Sequence, residues 1–271
     1  MSKRQNSGRP GQTGFTLLEL MLVVLILSVI LGAVFSQMNI AQQRIASEET
    51  KLDDFQQARD FVDQFFRDIN QIGTPNMQIM DTTQTFSPAL TQQSGGCATT
   101  PSSCTYSWAN PYINDSRFAM GLVKIDTNEI RFEGSMNGTG TVQSVIYKIN
   151  GNGNCQLCMM RSQADKINAD PLTGQNTNWG TEVNDLTTTN AIFRYFTYDG
   201  TEITALPISY ATNQAAAQTL ANIKTIQINL TIRNANVVDK KTGVPIETSF
   251  EGEISLNNCS MAATGQNMSC Q

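Results

Sequence analysis

The sequence predicts an α+β protein, in which one long N-terminal helix precedes an antiparallel β-sheet domain. Two observations carry this prediction. A helical pattern without proline runs from Phe15 to Ile72, and alternating strand patterns recur later in the chain. We therefore divide the 271 residues into a leader at 1–14, a long helix at 15–74 and a globular domain at 75–271.

The leader is polar and carries three bases, Lys3, Arg4 and Arg9, but no acid. A secretory signal has an apolar run of about 7–15 residues followed by a small-residue cleavage site, and the apolar run here is longer. Basic residues beside the N-terminal end of a membrane segment keep that end in the cytoplasm. We expect the leader to be cytoplasmic and the rest of the chain to be exported.

Residues 15–35 are long and apolar enough to cross a bilayer. A hydrocarbon core of about 30 Å requires roughly 20 helical residues, and this segment supplies 21. Its one formal charge is Glu19. A carboxylate deep in such a segment costs about 2.5–3.5 kcal/mol on insertion scales. Glu19 therefore needs a partner, which makes it a candidate functional residue.

The run GFTLLE at residues 14–19 resembles the prepilin peptidase site of the type IV pilin superfamily. In that pattern a short basic leader ends in Gly, Phe follows, and Glu stands at the fifth mature position ahead of an apolar helix. The resemblance implies that prepilin peptidase cleaves between Gly14 and Phe15 and that the new Phe15 amine is methylated. It also implies that Glu19 pairs with the terminal amine of a neighbouring subunit.

The second half of the long helix is predicted to be amphipathic. Its charged residues point away from an apolar stripe, and the predicted stripe consists of Ile45, Leu52, Phe55, Val62, Phe66 and Ile69. Gly73 and Pro75 form a strong stop signal. The helix is therefore predicted to end at Ile72 after about 58 residues, or about 87 Å at 1.5 Å per residue.

The globular domain is predicted to be β-rich, with long polar loops at 76–118 and 164–190. Strands are predicted at 122–125, 129–133, 142–149, 159–162, 191–198, 226–232 and 250–256, and a short helix at 211–221. The last two strands are predicted to form an antiparallel pair that packs one face on the long helix.

Six cysteines remain in the exported part of the chain: Cys97, Cys104, Cys155, Cys158, Cys259 and Cys270. The simplest of their 15 possible pairings joins sequence neighbours, as Cys97–Cys104, Cys155–Cys158 and Cys259–Cys270. An oxidising periplasm favours disulfides. A redox or zinc role for the CxxC pair stays open, although zinc takes four ligands and the chain has no His and no second CxxC.

The sequence predicts no catalytic site and no cofactor. The chain has no His, so Ser-His-Asp and Cys-His arrangements are excluded. Loss of the three leader bases moves the formal net charge from −5 to −8, which argues against nucleic-acid binding by bulk charge. A calcium site among the loop carboxylates at 165–185 stays open as an alternative.

A narrower resemblance concerns the class of pilin. The long mature chain, the phenylalanine-rich second half of the helix and the strand that ends at Asp199-Gly200 resemble PilW-like minor pilins and J-type pseudopilins. This implies a structural subunit that starts in inner-membrane lipid, with its globular domain in the periplasm. It then joins other pilins to initiate or cap a type IV pilus. The alternatives are a minor pseudopilin of a type II secretion system and a pilus-tip module for adhesion or DNA uptake.

Overall fold

The computed structural model describes residues 16–75, 114–150, 157–173, 176–187, 190–212, 214–238 and 243–256. Within these ranges the chain forms two helices and ten strands. This confirms the predicted α+β class. The chain divides into two compact units, Met1–Thr50 and Lys51–Gln271, which are described separately below.

The first unit contains the N-terminal part of helix α1, which runs from Leu17 to Ile69. Every side chain between Leu17 and Ala46 is exposed. The apolar residues in this part of α1 therefore have no protein core to cover them within the described chain. By length and composition, α1 is able to cross a membrane.

The C-terminal end of α1 lies at Ile69, so the predicted end at Ile72 is too late. Ile72 instead forms a β-bridge with Gly134. The N–H of Gly73 donates to the carbonyl oxygen of Glu133 at 2.9 Å, and Gly73 has a φ of 73°, which is easily adopted by glycine. The helix does not continue to Ile72 because the Gly73 N–H bonds to the Glu133 carbonyl oxygen and not to a carbonyl of the helix.

The second unit carries two antiparallel sheets and not the single sheet that the sequence predicts. The strands are β1 (Leu122–Ile125), β2 (Glu129–Gly134), β3 (Gln143–Ile149), β4 (Met159–Asp165), β5 (Gly180–Val183), β6 (Phe193–Thr197), β7 (Glu202–Ile203), β8 (Ile208–Ser209), β9 (Ile223–Val238) and β10 (Pro245–Ser255), with helix α2 at Gln214–Ala221. Sheet A has the order β5-β4-β3-β2-β1-β8, and sheet B has the order β10-β9-β6-β7.

All seven predicted strands are present, but the predicted loop at 164–190 needs correction. The interval 164–190 contains β5, which forms an edge of sheet A. Only Val183 of this strand is buried, so β5 carries no alternating apolar pattern that would reveal it. The predicted loop at 76–118 lies outside the described residues, apart from 114–118.

The core of the second unit forms where both sheets pack on the C-terminal part of α1. The ring of Phe65 lies edge-on to Tyr147 of sheet A, with 5.2 Å between centroids. It also stacks on Phe193 of sheet B at 5.5 Å. All three rings are fully buried. A single helical side chain thus contacts both sheets, and each aromatic contact contributes about 0.5–1.5 kcal/mol beyond area burial.

The predicted apolar stripe of α1 holds only towards its C-terminal end. Val62 is buried as predicted, whereas Ile45 and Leu52 are 58% and 67% exposed. Phe61 and Phe65, which lie outside the predicted stripe, are buried. The buried face is wider than the stripe because sheets A and B contact adjacent faces of the helix.

Candidate functional site

The candidate site begins at the first turn of α1. The backbone N–H of Glu19 lies 3.3 Å from Thr16 Oγ1 and 3.1 Å from the Thr16 carbonyl oxygen. A Thr N-cap followed three residues later by Glu is the capping-box pattern. A carboxylate in the first turn also faces the positive end of the helix dipole. The motif residues themselves therefore determine where α1 starts.

The Glu19 side chain is exposed on a helix surface that is otherwise apolar. Its neighbours Leu18 and Leu20 are 77% and 60% exposed. Among the described residues, no base forms an ion pair with Glu19. An exposed apolar surface of this extent indicates contact with lipid or with other apolar helices. In such surroundings the carboxylate needs a partner from outside the described chain.

Gly14 and Phe15, the predicted cleavage and methylation residues, lie outside the described residues. The structure places Thr16 and Glu19 immediately after them, at the start of a regular helix. Cleavage after Gly14 and methylation of Phe15 therefore stay predictions.

Of the six predicted disulfide residues, only Cys158 falls within the described residues. Its side chain is fully buried directly before β4, and it is disulfide-bonded. The partner sulfur lies outside the described residues. The pairing of Cys158 with Cys155, and the pairings Cys97–Cys104 and Cys259–Cys270, therefore stay predictions.

A buried polar cluster joins α1 to sheet A, and the sequence did not predict it. Asp68 is 3% exposed, and its Oδ2 accepts hydrogen bonds from Tyr147 Oη and Arg161 Nε, both at 2.7 Å. Gln64 Nε2 donates to Oδ1 of Asp68 at 2.7 Å. Burial, and then the negative charge of Asp68, raise the pKa of Tyr147 well above its usual value. Tyr147 therefore stays a neutral hydrogen-bond donor.

A polar groove of about 860 Å³ lies beside this cluster, between α1 and sheet A. Arg161 and Glu182 line it from the sheet, and Asp60 and Arg67 line it from the helix. Burial raises the pKa of Glu182. Charges of both signs line the groove, so its chemistry is that of hydrogen bonding and ion pairing.

The carboxylates at 165–185 do not gather into a metal site within the described residues, where no group of three or more His, Cys, Asp or Glu side chains is found. Asp165 Oδ1 accepts a hydrogen bond from Gln143 Nε2 at 3.0 Å. Asp170 Oδ1 accepts one from Tyr210 Oη at 2.6 Å. These two carboxylates therefore link segments of the fold.

A capped, exposed apolar helix that leads into a β-rich domain fits the class of proteins that are anchored in a membrane by one N-terminal helix. A comparison with protein families identifies the N-terminal motif more closely. The family model described as the prokaryotic N-terminal methylation motif matches residues 9–35, which include Gly14, Phe15, Glu19 and the apolar start of α1. The chain therefore carries the N-terminal motif of type IV pilin-like prepilins. No curated protein and no solved structure matches it.

The matched motif implies processing by prepilin peptidase and assembly with other pilins. It confirms the resemblance inferred from residues 14–19, and together with the long apolar helix it fits a membrane-anchored pilin. It does not separate minor from major pilins, or pilins from pseudopilins, because the match covers only the N-terminal segment.

Proposed function

We propose that this chain is a minor pilin-like structural subunit, without enzymatic activity, that initiates or caps a type IV pilus. The observation that carries the proposal is the methylation motif, which continues directly into the exposed apolar surface of α1. The resemblance to PilW-like minor pilins supports a low-abundance subunit, because major pilins are usually shorter. Before assembly the leader faces the cytoplasm, and the β-rich domain lies in the periplasm.

Assembly begins when leader removal frees the amine of Phe15. Glu19 of one subunit then pairs with the amine of its neighbour. An unpaired carboxylate in apolar surroundings costs about 2.5–3.5 kcal/mol, so the neighbour that supplies the amine at the right height is favoured over other positions. The exposed apolar surface of α1 is covered first by lipid and afterwards by neighbouring helices. The pairing of Glu19 thus selects the axial position of the subunit.

Replacing Glu19 by Ala is expected to leave processing intact but to deplete the protein from sheared pili by about tenfold or more. The reason is that each 1.4 kcal/mol of lost pairing energy is a factor of about ten. The measurement is the ratio of the protein in pili to the protein in membranes, by quantitative immunoblot. Glu49→Ala is the matched control, because Glu49 is an exposed glutamate on the same helix beyond the apolar segment. Normal incorporation of the Glu19→Ala protein would contradict the mechanism.

Replacing Gly14 by Glu is expected to block cleavage, so that the leader is retained. The peptidase must accommodate the residue before the cut, and a charged side chain fills the space that glycine leaves open. Intact-mass spectrometry of the membrane fraction measures the result. Gly11→Glu places the same charge upstream and should be processed normally. A mature N-terminus at Phe15 in the Gly14→Glu protein would show that the cleavage site is elsewhere.

A minor pseudopilin of a type II secretion system is the alternative role, because the same motif occurs in both assemblies. Cross-linking followed by mass spectrometry in intact cells distinguishes the two. Cross-links to the major pilin support the proposed function, whereas cross-links to secretion-system pseudopilins support the alternative.

A further inference from the structure

Strand β10 forms one edge of sheet B. It pairs with β9 in a continuous antiparallel register from Ile246 to Ser255, with one irregularity between Pro245 and Ile246. Among the described residues, no strand pairs with its other side. Edge strands present unpaired backbone groups that can hydrogen-bond to another chain. Proteins usually protect such edges by making them short, bulged, proline-containing or charged, and of these protections the stretch Ile246–Ser255 has only charge.

The backbone groups that point outward from β10 can be identified from the ladder. The N–H of Leu256 donates to the carbonyl oxygen of Lys224 on β9 at 2.8 Å. On β9, the N–H of Asn229 points the opposite way and donates to Ile192 at 2.8 Å. Because hydrogen bonding alternates along an antiparallel strand, the even-numbered residues of β10 face β9. The outward N–H and C=O groups belong to Glu247, Ser249, Glu251, Glu253 and Ser255.

The side chains of β10 hold this edge in place. All five odd-numbered side chains are exposed on the outer face of the sheet. The inner face packs on α1: a Cβ added to Gly252 would lie 3.1 Å from Phe66 Cζ and 3.3 Å from Val62 Cγ1. Phe250 contacts Phe55 edge-on at 5.8 Å. Close packing behind the strand makes its outer edge a preformed template for strand addition.

Charge determines which strand fits this template. Three of the five outward residues are glutamates. Glu247 has a partner in Arg233, but the pair is loose at 3.5 Å and half exposed. Two β10 edges paired with each other would bring their glutamates together, since the odd-numbered residues of one copy would face those of the other. Like charges on adjacent strands are destabilising, whereas opposite charges are stabilising. The edge therefore disfavours a second copy of this chain.

We propose that the outer edge of β10 binds an extended segment of another protein by strand addition, and that this segment carries Lys or Arg at alternate positions. Backbone hydrogen bonds supply the affinity in this mode of recognition, and the alternate side chains supply the specificity. The inference rests on the geometry of β10 and does not depend on the proposed function.

The test uses the full-length protein in detergent micelles and a synthetic peptide spanning the nine positions 247–255. In the peptide, Lys and Thr alternate with Val, and in a matched peptide Glu replaces Lys. The Lys peptide is expected to bind about tenfold more tightly than the Glu peptide. N-methylation of the Lys and Thr residues, whose N–H groups face β10, should abolish binding. N-methylation of the Val residues should not. Equal binding of the Lys and Glu peptides would overturn the proposal.

Two variants locate the binding site. Ser249→Pro removes an outward N–H and leaves the β9 ladder intact, so it should weaken binding by about tenfold, whereas Ser249→Ala should not. Glu251→Lys combined with Glu253→Lys should reverse the preference between the two peptides. This second test is independent of any effect of proline on folding. Unchanged binding by Ser249→Pro, or an unreversed preference, would overturn the proposal.

Amide hydrogen exchange provides the third readout. In the free protein, the amides of the five odd-numbered residues should exchange fast, and the Lys peptide should slow them selectively. Slowing at other strands would place the peptide elsewhere and overturn the inference. Slow exchange of these amides before peptide is added would show that another part of the chain already covers the edge, which would also overturn it.

Discussion

Replacing Lys166 by Met is expected to lower the free energy of unfolding by about 3–5 kcal/mol. Lys166 Nζ donates to Glu133 Oε2 at 2.7 Å and to the carbonyl oxygen of Phe118 at 2.8 Å, and both charged side chains are 0% exposed. Burial raises the pKa of the Glu133 carboxyl above its usual value. Without Lys166 this carboxyl has no opposite charge beside it. Urea unfolding of the full-length protein in detergent, followed by near-UV circular dichroism, measures the loss.

A double variant separates the ion pair from ordinary packing. Lys166→Met combined with Glu133→Leu should recover most of the lost stability, because apolar residues often replace a buried ion pair without net cost. Arg233→Met is the matched control at the exposed Arg233–Glu247 pair, where the expected loss is about 0–1 kcal/mol. Equal losses in the double variant and in Lys166→Met would contradict this account of the pair.

Replacing Asp68 by Ala is expected to lower the free energy of unfolding by about 3–5 kcal/mol as well. Arg161, whose side chain is 16% exposed, would lose its carboxylate partner. The hydroxyl of Tyr147, also bonded to Asp68 Oδ2 at 2.7 Å, would lose its acceptor. The same urea titration measures the change. Hydrogen exchange at the β3 and β4 amides should accelerate, since these strands carry Tyr147 and Arg161.

Asp63→Ala is the control for this second variant. Asp63 lies on the same helix but is exposed, and its contact with Arg59 is long at 3.9 Å. An exposed pair of this kind contributes about 0–1 kcal/mol. If Asp63→Ala destabilised the protein as much as Asp68→Ala, the helix and not the buried cluster would be the origin of the effect.

Local patterns in the sequence were sufficient to predict most of the fold. Strands with apolar alternation, such as β9, appear in the residues themselves, because one face must be buried. The two-residue strands β7 and β8 were not predicted, because two residues are too few to show an alternating pattern. Strand β7 pairs with β6 across a short turn, and β8 pairs with β1, which is distant in sequence. The division into two sheets was missed because it depends on pairing between strands that are distant in sequence, such as β6 with β9. Periodicity identifies a strand but not its partner.

The residues of the candidate site also differ in whether the sequence alone could predict them. Gly14, Phe15 and Glu19 could be predicted because the motif is contiguous and its chemistry depends on the chain itself. The Asp68–Arg161 pair joins residues that are 93 positions apart. A single charged residue on the apolar face of α1, next to Ile69 and one turn after Phe65, was the available signal. It pointed to a buried partner but could not specify Arg161.

The placement of Phe65 between the two sheets has a mechanical consequence. Tyr147 and Phe193 belong to different sheets, and both contact the same ring on α1. A tensile force along α1 therefore acts on sheets A and B at the same time, and neither sheet bears the whole force. For the helix to slide, many buried contacts would have to break together. Such an arrangement resists tension better than one in which contacts break one at a time.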